Sequence, residues 1–255
     1  MYQELLTFEI YMNIYQNILS AKQQSRKLLA VLIDPEKIKI GTIQNFIKLV
    51  NQSIATHIFV GGSTDKNNDL KAVVIEIKKH TTLPVILFPG DFSQVTPQAD
   101  GILFLSLISG RNPEYLIEQQ VQAALAIKES KLEVIPTGYI LIDGGKETAV
   151  AKVSKTAPIS QLDLELILKT ALAGEFSGKK VVYLEAGSGA TVPVESNIIT
   201  LAKSNLTIPL IVGGGIKNIS QINDAYDAGA DMVVIGTAFE KNPSFFNELK
   251  KKSII

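Results

Sequence analysis

Short apolar runs alternate with stretches of helical periodicity along the chain. An apolar run bounded by glycine or proline is typical of a strand buried on both faces, and an apolar spacing of three or four is typical of a helix. Their regular alternation predicts a (β/α)₈ barrel, and a doubly wound open sheet is the alternative. The predicted strands are 28–33, 56–60, 84–88, 101–105, 134–142, 181–185, 208–212 and 231–235, and the predicted helices are 42–50, 70–79, 113–128, 162–172 and one after residue 243.

Three parts of the chain depart from this alternation. Residues 91–100 contain Pro97 and little helical periodicity, which predicts a loop or a strand-like segment in place of the third helix. Residues 143–160 are mostly polar and predict a long loop. Residues 1–24 lack glycine and proline and place apolar residues at helical spacing, which predicts an amphipathic leading helix that covers one end of the barrel.

Length and composition favour a single barrel-sized domain that spans residues 1–255. The 25 basic and 25 acidic residues balance, so no overall field attracts nucleic acid, and no basic patch is evident. The chain has no cysteine, which excludes disulfides, thiolate metal sites and a cysteine nucleophile. It shows no signal-peptide pattern and no apolar run near the roughly 20 residues that span a bilayer. We therefore expect a soluble, cytoplasmic protein, which leaves transient contact with a membrane surface open.

Three glycine-rich segments follow the last three predicted strands. They are 183–190, with the sequence Tyr-Leu-Glu-Ala-Gly-Ser-Gly-Ala, then 213–215 and 236–237. Glycine lets backbone N–H groups approach a ligand, and three such loops at consecutive strand ends can surround one phosphate. A single loop of this kind could merely turn the chain. The three together predict the phosphate site that is typical of the last loops of a (β/α)₈ barrel.

Oxygen-bearing side chains follow the first two predicted strands. Asp34 directly follows the first strand, and Ser63 and Thr64 occupy the same level after the second. Carboxylate and hydroxyl oxygens suit Mg²⁺, which fills its remaining positions with water or substrate phosphate. The alternative for all three residues is a helix cap or a turn, and Pro35 would suit the first position of a helix after Asp34.

Tyr183 and Glu185 lie two residues apart on the sixth predicted strand, so their side chains point to the same face. At the mouth of a barrel, a carboxylate could accept the proton of a substrate hydroxyl, and a tyrosine could hydrogen-bond a phosphate or a hydroxyl. The alternative is polar filling of the barrel end. The turn 143–146 could also be catalytic, but its composition favours a surface loop.

Eight short motifs extend along nearly the whole chain. They are Ile33–Lys37, Val60–Ser63, Pro89–Asp91, Ser109–Pro113, Pro136–Tyr139, Tyr183–Gly189, Gly213–Ile216 and Gly236–Thr237. Glycine motifs of the GGG and GT type are common, whereas the IDPEK, GGS and YLEAGSG motifs together are specific. Together the motifs resemble the geranylgeranylglyceryl phosphate synthase family, in the branch that holds many archaeal and some bacterial enzymes and is related to bacterial heptaprenylglyceryl phosphate synthase. One departure is Leu32, because some bacterial members have a lysine at that position.

The resemblance implies transfer of a prenyl group from a polyprenyl diphosphate, with geranylgeranyl diphosphate expected, to the free hydroxyl of sn-glycerol 1-phosphate. It implies that Asp34 and Ser63 bind Mg²⁺, that Glu185 orients or deprotonates the attacking hydroxyl with Tyr183 beside it, and that the chain forms a homo-oligomer. The residues that match the family's glycerol phosphate site are Tyr183, Leu184, Glu185, Ala186, Gly187, Ser188, Gly189, Gly213, Gly214, Gly236 and Thr237.

A prenyl tail would also need an apolar groove. We expect this groove near the missing third helix, with contributions from Leu103, Leu105 and Tyr139. Two other classes of function remain as alternatives. One is an isomerase or lyase on a phosphate-binding barrel, which usually needs a lysine or an acid/base pair at strand ends. The other is a barrel that binds a phosphometabolite without catalysis.

Overall fold

The computed structural model describes residues 13–62, 69–236, 238–239 and 245–250, and its strands form one closed parallel barrel. Each strand pairs with the next in the chain, and the last pairs with the first. This closure confirms the predicted (β/α)₈ barrel and excludes the doubly wound open sheet. The strands are β1 Leu28–Ile33, β2 His57–Val60, β3 Val85–Leu87, β4 Gly101–Leu107, β5 Glu133–Leu141, β6 Val181–Glu185, β7 Leu210–Gly213 and β8 Met232–Ile235.

Helices pack around the outside of the barrel. A π-helical turn, Glu114–Glu118, leads directly into the helix that follows β4. No described helix is both long and apolar enough to cross a membrane. The helices are α1 Ile14–Gln23, α2 Ile40–Gln52, α3 Leu70–Lys78, α4 Gln119–Ser130, α5 Ala149–Ser154, α6 Leu164–Phe176, α7 Ser196–Asn205, α8 Ile219–Asp227 and α9 Phe245–Glu248.

Two connections test the sequence-based expectations. The connection between β3 and β4, all of it described, contains no helix, which confirms the predicted loss of the third helix. The prediction of a helix-free loop over 143–160 is wrong, because α5 lies within it. Thr148 caps this helix by accepting the Ala151 N–H at 3.2 Å. A helix of six residues presents too few periodic positions to stand out in the sequence.

Helix α1 closes the N-terminal end of the barrel. Its Ile18 and Ala21 pack with the residues that fill the barrel interior. Glu133, at the start of β5, accepts a hydrogen bond from the Tyr15 N–H at 2.8 Å. The first part of the predicted leading helix, residues 1–12, lies outside the described residues. With this end closed, the C-terminal ends of the strands form the open mouth.

The core has two layers, one inside the barrel and one between the strands and the surrounding helices. Along β1, Leu28 and Ala30 point into the barrel, whereas Leu29, Val31 and Ile33 point outward to the helices. Both faces are therefore buried, which explains why the strands read as continuous apolar runs. Side chains that point inward near the C-terminal ends of the strands face the mouth. A ligand bound at the mouth would therefore contact these side chains.

Candidate active site

The loops after β6 and β7 contact each other through their backbones. The Ala186 N–H donates to the Gly213 carbonyl at 3.0 Å. Gly214 has φ +80°, and a Cβ there would lie 2.5 Å from the Gly187 nitrogen and 2.8 Å from the Ala186 nitrogen. Only glycine fits this close approach without strain. The result is a cradle of backbone at the mouth with no side chain in the way, as a bound phosphate requires.

Most of the predicted site residues converge on one cavity at the mouth. Leu184 and Ala186 instead pack their side chains in the outer core and contribute backbone only. Gly187 and Gly213 lie directly against Glu185. Ser63 and Thr237 lie outside the described residues, so their roles stay predictions. The predicted residues that line the cavity are Asp34, Tyr183, Glu185, Ser188, Gly189, Gly214 and Gly236.

Glu185 lies at the end of β6 with 6% of its surface exposed. Its Oε1 accepts the Gly187 N–H at 2.8 Å, and its Oε2 faces Gly213. Burial raises the pKa of this carboxyl to about 7, although the nearby Tyr183 hydroxyl and the Gly187 N–H oppose the rise. No lysine or arginine of the described chain pairs with it. A carboxyl in this state can accept a proton near neutral pH.

Tyr183 is fully buried beside this carboxyl. Its ring packs 5.4 Å from that of Tyr139 and 5.6 Å from that of Phe88, centroid to centroid. Burial, followed by the Glu185 charge, raises the pKa of Tyr183 well above its usual value, so the hydroxyl stays neutral. The hydroxyl faces the carboxylate, but no group in the described chain lies in the right geometry to form a hydrogen bond with it. An unpaired buried hydroxyl is costly, and a bound ligand would relieve it.

Asp34 follows β1 and faces the same cavity. Its Oδ1 accepts the Glu36 N–H at 3.1 Å, and its Oδ2 pairs with Lys37 Nζ at 2.8 Å. The next helix begins only at Ile40, so Asp34 forms a local turn and does not cap that helix. Gly62, after β2, lies so close that a Cβ there would be 3.1 Å from Oδ1. The ends of β1 and β2 therefore meet at this carboxylate, as the sequence predicts.

An apolar groove adjoins the cavity, between β4, α4 and the segment that replaces the third helix. The predicted residues Leu103, Leu105 and Tyr139 all line it. Because no helix covers this side of the barrel, the groove stays open to a long apolar ligand. The groove and the cavity share four lining residues, so one ligand could extend across both. These shared residues are Gly62, Phe88, Tyr139 and Val150.

The sequence reasoning missed Lys146. The turn 143–146 favours a surface loop in the sequence, but the structure places Lys146 at the wall of the cavity. A Cβ built on Gly189 would lie 3.1 Å from its ammonium nitrogen. The Asp-Gly-Gly-Lys sequence marked a turn, and no local pattern indicated what the turn would contact.

A closed barrel with a glycine cradle, a buried carboxylate and an apolar groove at one mouth has the architecture of the (β/α)₈ barrels that bind phosphate compounds through their last loops. The PcrB family model matches residues 22–254. The chain belongs to the PcrB family.

Two bacterial relatives of this chain carry the same name. The chain is 54% identical over 247 residues to the geranylgeranylglyceryl phosphate synthase of Flavobacterium johnsoniae, covering 97% of this chain and 100% of that one. It is 58% identical over 227 residues to the Zunongwangia profunda protein of the same name, with coverages of 89% and 97%.

A solved structure agrees with these relatives. The chain is similar to the crystal structure of (S)-3-O-geranylgeranylglyceryl phosphate synthase from Thermoplasma acidophilum in complex with sn-glycerol-1-phosphate. The TM-score is 0.88 at 34% identity, and the match covers 93% of this chain and 96% of that one.

Proposed function

We propose that this chain transfers a prenyl group from a polyprenyl diphosphate to a free hydroxyl of sn-glycerol 1-phosphate. The ether bond forms between the hydroxyl oxygen and C1 of the prenyl group, while the bond from C1 to the diphosphate breaks. Pyrophosphate leaves with the electron pair of that bond. The names of the relatives and the glycerol phosphate complex of the Thermoplasma protein support this reaction.

The observation that carries the proposal is the position of Glu185 against the glycine cradle, in the cavity that adjoins the apolar groove. A glycerol phosphate held in the cradle by its phosphate would present its hydroxyls toward the groove. Glu185 would accept the proton of the attacking hydroxyl, because its pKa of about 7 leaves it partly ionised at neutral pH. The Tyr183 hydroxyl would donate to an oxygen of the same substrate and so fix its orientation.

The prenyl tail would lie in the groove. Phe88 and Tyr139 line both the groove and the cavity, so C1 of the tail would pass along this aromatic pair to reach the hydroxyl. A tail bound along the mostly apolar lining would displace water from the groove and from the neighbourhood of the reacting carbon. Exclusion of water matters here because water would otherwise compete with glycerol phosphate for C1.

The diphosphate end needs a cation, and we assign Mg²⁺ to Asp34 and Ser63. In the described part of the chain, no three histidines, cysteines or acidic residues cluster as an all-protein metal site. One carboxylate at the mouth fits Mg²⁺ nevertheless, because this ion often takes one or two carboxylates and completes its shell with water and substrate phosphates. When bound, Mg²⁺ would offset the charge of the diphosphate and stabilise the leaving pyrophosphate.

We also propose that the chain self-associates and that it is located in the cytoplasm. We further propose geranylgeranyl diphosphate as the preferred donor. The relatives named geranylgeranylglyceryl phosphate synthase support the donor. An isomerase, a lyase or a non-catalytic barrel that acts on a small phosphate compound would leave the apolar groove without a role.

The test is a product assay with radiolabelled sn-glycerol 1-phosphate, Mg²⁺ and prenyl diphosphates of increasing length. We expect a labelled product that extracts into organic solvent, forms only with a divalent cation and peaks at one tail length. Asp34→Asn should lose metal-dependent turnover and still bind glycerol phosphate. Asp163→Asn is the matched control, because asparagine also caps α6, whose Leu166 N–H donates to Asp163. Full turnover of Asp34→Asn would refute the metal assignment.

A further inference from the structure

The loop after β5 lies over the glycine loop after β6 and is fastened to it. The Gly144 carbonyl accepts the N–H groups of Thr191 at 2.8 Å and Val192 at 3.2 Å. The Gln161 side chain donates to Asp143 O at 2.8 Å and to Pro193 O at 3.1 Å, which ties the bases of both loops together. The backbone around residue 146 is therefore held against the cradle.

Every second residue of this part of the loop after β5 contacts the glycine loop after β6. A Cβ on Gly144 would lie 2.5 Å from Ala190 Cβ, and a Cβ on Gly187 would lie 2.1 Å from Thr148 Cγ2. Between these two contacts, the Lys146 ammonium lies over Gly189. Residues 144, 146 and 148 thus share one face of the loop, and that face is turned toward the cradle.

The Lys146 ammonium is unpaired among the described residues. Other lysines near the mouth are engaged: Lys37 pairs with Asp34, and Lys217 donates to the Thr191 carbonyl at 2.9 Å. In the adjoining helix α5, Lys152 pairs with Glu147. Lys146 lines the cavity without such a partner and can offer its N–H donors to a ligand.

A phosphate in the cradle would lie close to the Glu185 carboxyl, which has no cationic partner among the described residues. Lys37, which also lines the cavity, is paired with Asp34, so the Lys146 ammonium can offset the repulsion between the phosphate and Glu185. An ammonium over Gly189 would supply a charge-assisted hydrogen bond to an oxygen of that phosphate.

We propose that Lys146 is a substrate-binding residue that holds the phosphate group of glycerol phosphate against the cradle. This inference rests on the proposed function for the identity of the ligand. Its chemistry requires only a phosphate monoester in the cradle, so direct binding can be measured without the second substrate. The ammonium lies over Gly189 of the glycine loop, which assigns it to the phosphate held in the cradle and not to the prenyl diphosphate.

The first test replaces Lys146 with methionine, glutamine or arginine and measures both substrates separately. Loss of a hydrogen bond to a charged group predicts a rise of roughly 10- to 100-fold in the KM and the Kd for glycerol phosphate. The KM for prenyl diphosphate should change less than about two-fold, since no contact to it is lost. Lys146→Arg should restore much of the affinity. Lys152→Met in the adjoining helix α5 is the matched control and should bind like the wild type.

The second test uses the unmodified protein and so does not depend on how the variants fold. Lysines are acetylated with and without glycerol phosphate, and the modified sites are quantified by mass spectrometry. We expect glycerol phosphate to protect Lys146 at least several-fold and to leave Lys152 unchanged. Equal acetylation of Lys146 in both samples would overturn the proposal, as would a larger effect on the prenyl diphosphate KM.

The two proposals can fail separately. If the wild type makes no ether from any prenyl diphosphate, the proposed function fails. If glycerol phosphate still protects Lys146 and binds weakly to the methionine variant, the phosphate contact stands. If ether forms but protection and affinity do not depend on Lys146, the phosphate contact alone is refuted.

Discussion

Replacement of Glu185 by glutamine tests whether this carboxyl titrates near neutral pH. Glutamine has nearly the same shape, and its amide oxygen can accept the Gly187 N–H that donates to the carboxylate at 2.8 Å. The change removes the negative charge and the ability to take up a proton. The two proteins should therefore differ mainly in how stability and turnover depend on pH.

The magnitude follows from the pKa. In the folded protein, burial raises the pKa of Glu185 from 4.5 to about 7, a rise of about 2.5. Each pKa unit corresponds to about 1.4 kcal/mol, so the buried charge costs the folded state about 3 kcal/mol once it is fully ionised. Below pH 4.5 the group is protonated in both states and the cost is absent. Between pH 4.5 and 7 the folded state binds more protons than the unfolded one, so stability falls as the pH rises.

The assay is urea unfolding of both proteins without substrate or metal, at several pH values from 4.5 to 8. Other titrating groups affect both proteins alike and cancel in the difference. The free energy of unfolding of the wild type should fall relative to that of Glu185→Gln by about 3 kcal/mol across this range. Turnover of the variant should fall by about 10²- to 10⁴-fold, the usual contribution of a general base. A difference in stability that does not change with pH would refute the raised pKa.

Three further changes test other parts of the site. Gly214→Ala forces a Cβ to within 2.4 Å of Glu185 Oε1. In urea unfolding it should lower stability by about 1–3 kcal/mol more than Gly178→Ala, because Gly178 has a similar φ of +86° but open space around it. Equal losses in the two variants would contradict the close contact. Tyr183→Phe removes a buried hydroxyl that has no hydrogen-bond partner among the described residues but that favours the charged form of Glu185. Below about pH 6, where Glu185 is protonated, stability should hold or rise by about 1 kcal/mol while kcat/KM for glycerol phosphate falls, and a clear loss of stability there would contradict the unpaired state. Leu105→Trp narrows the groove, so the preferred prenyl diphosphate should become shorter, and an unchanged length profile would place the tail elsewhere.

The sequence predicted the barrel well because its signal is strong and local. Strands with two buried faces read as apolar runs, and β1 and β6 match the predicted ranges 28–33 and 181–185. The absence of the third helix could also be predicted, because Pro97 and the lack of helical periodicity lie within one short segment. Tyr183 and Glu185 could be paired in advance, since residues two apart on a strand share a face.

What the sequence did not predict depends on contacts between distant segments. Helix α5 is short and is fixed by the Thr148 cap and by the packing of Thr148 on Gly187. Lys146 reaches the cavity because the Gly144 carbonyl accepts hydrogen bonds from the loop after β6. The periodicity of the sequence does not indicate such long-range hydrogen bonds. The pKa of Glu185 likewise depends on its burial by residues far away in the chain.

The central claim is that a hydroxyl oxygen of glycerol phosphate attacks C1 of the prenyl group. The most direct test supplies sn-glycerol 1-phosphate labelled with ¹⁸O in its free hydroxyls, together with unlabelled prenyl diphosphate and Mg²⁺, and determines the products by mass spectrometry. We predict a prenylglyceryl phosphate that keeps ¹⁸O in the ether linkage, with one unlabelled pyrophosphate released per ether formed. Release of free prenyl alcohol with no labelled ether, or no reaction with any tail length, would contradict the account.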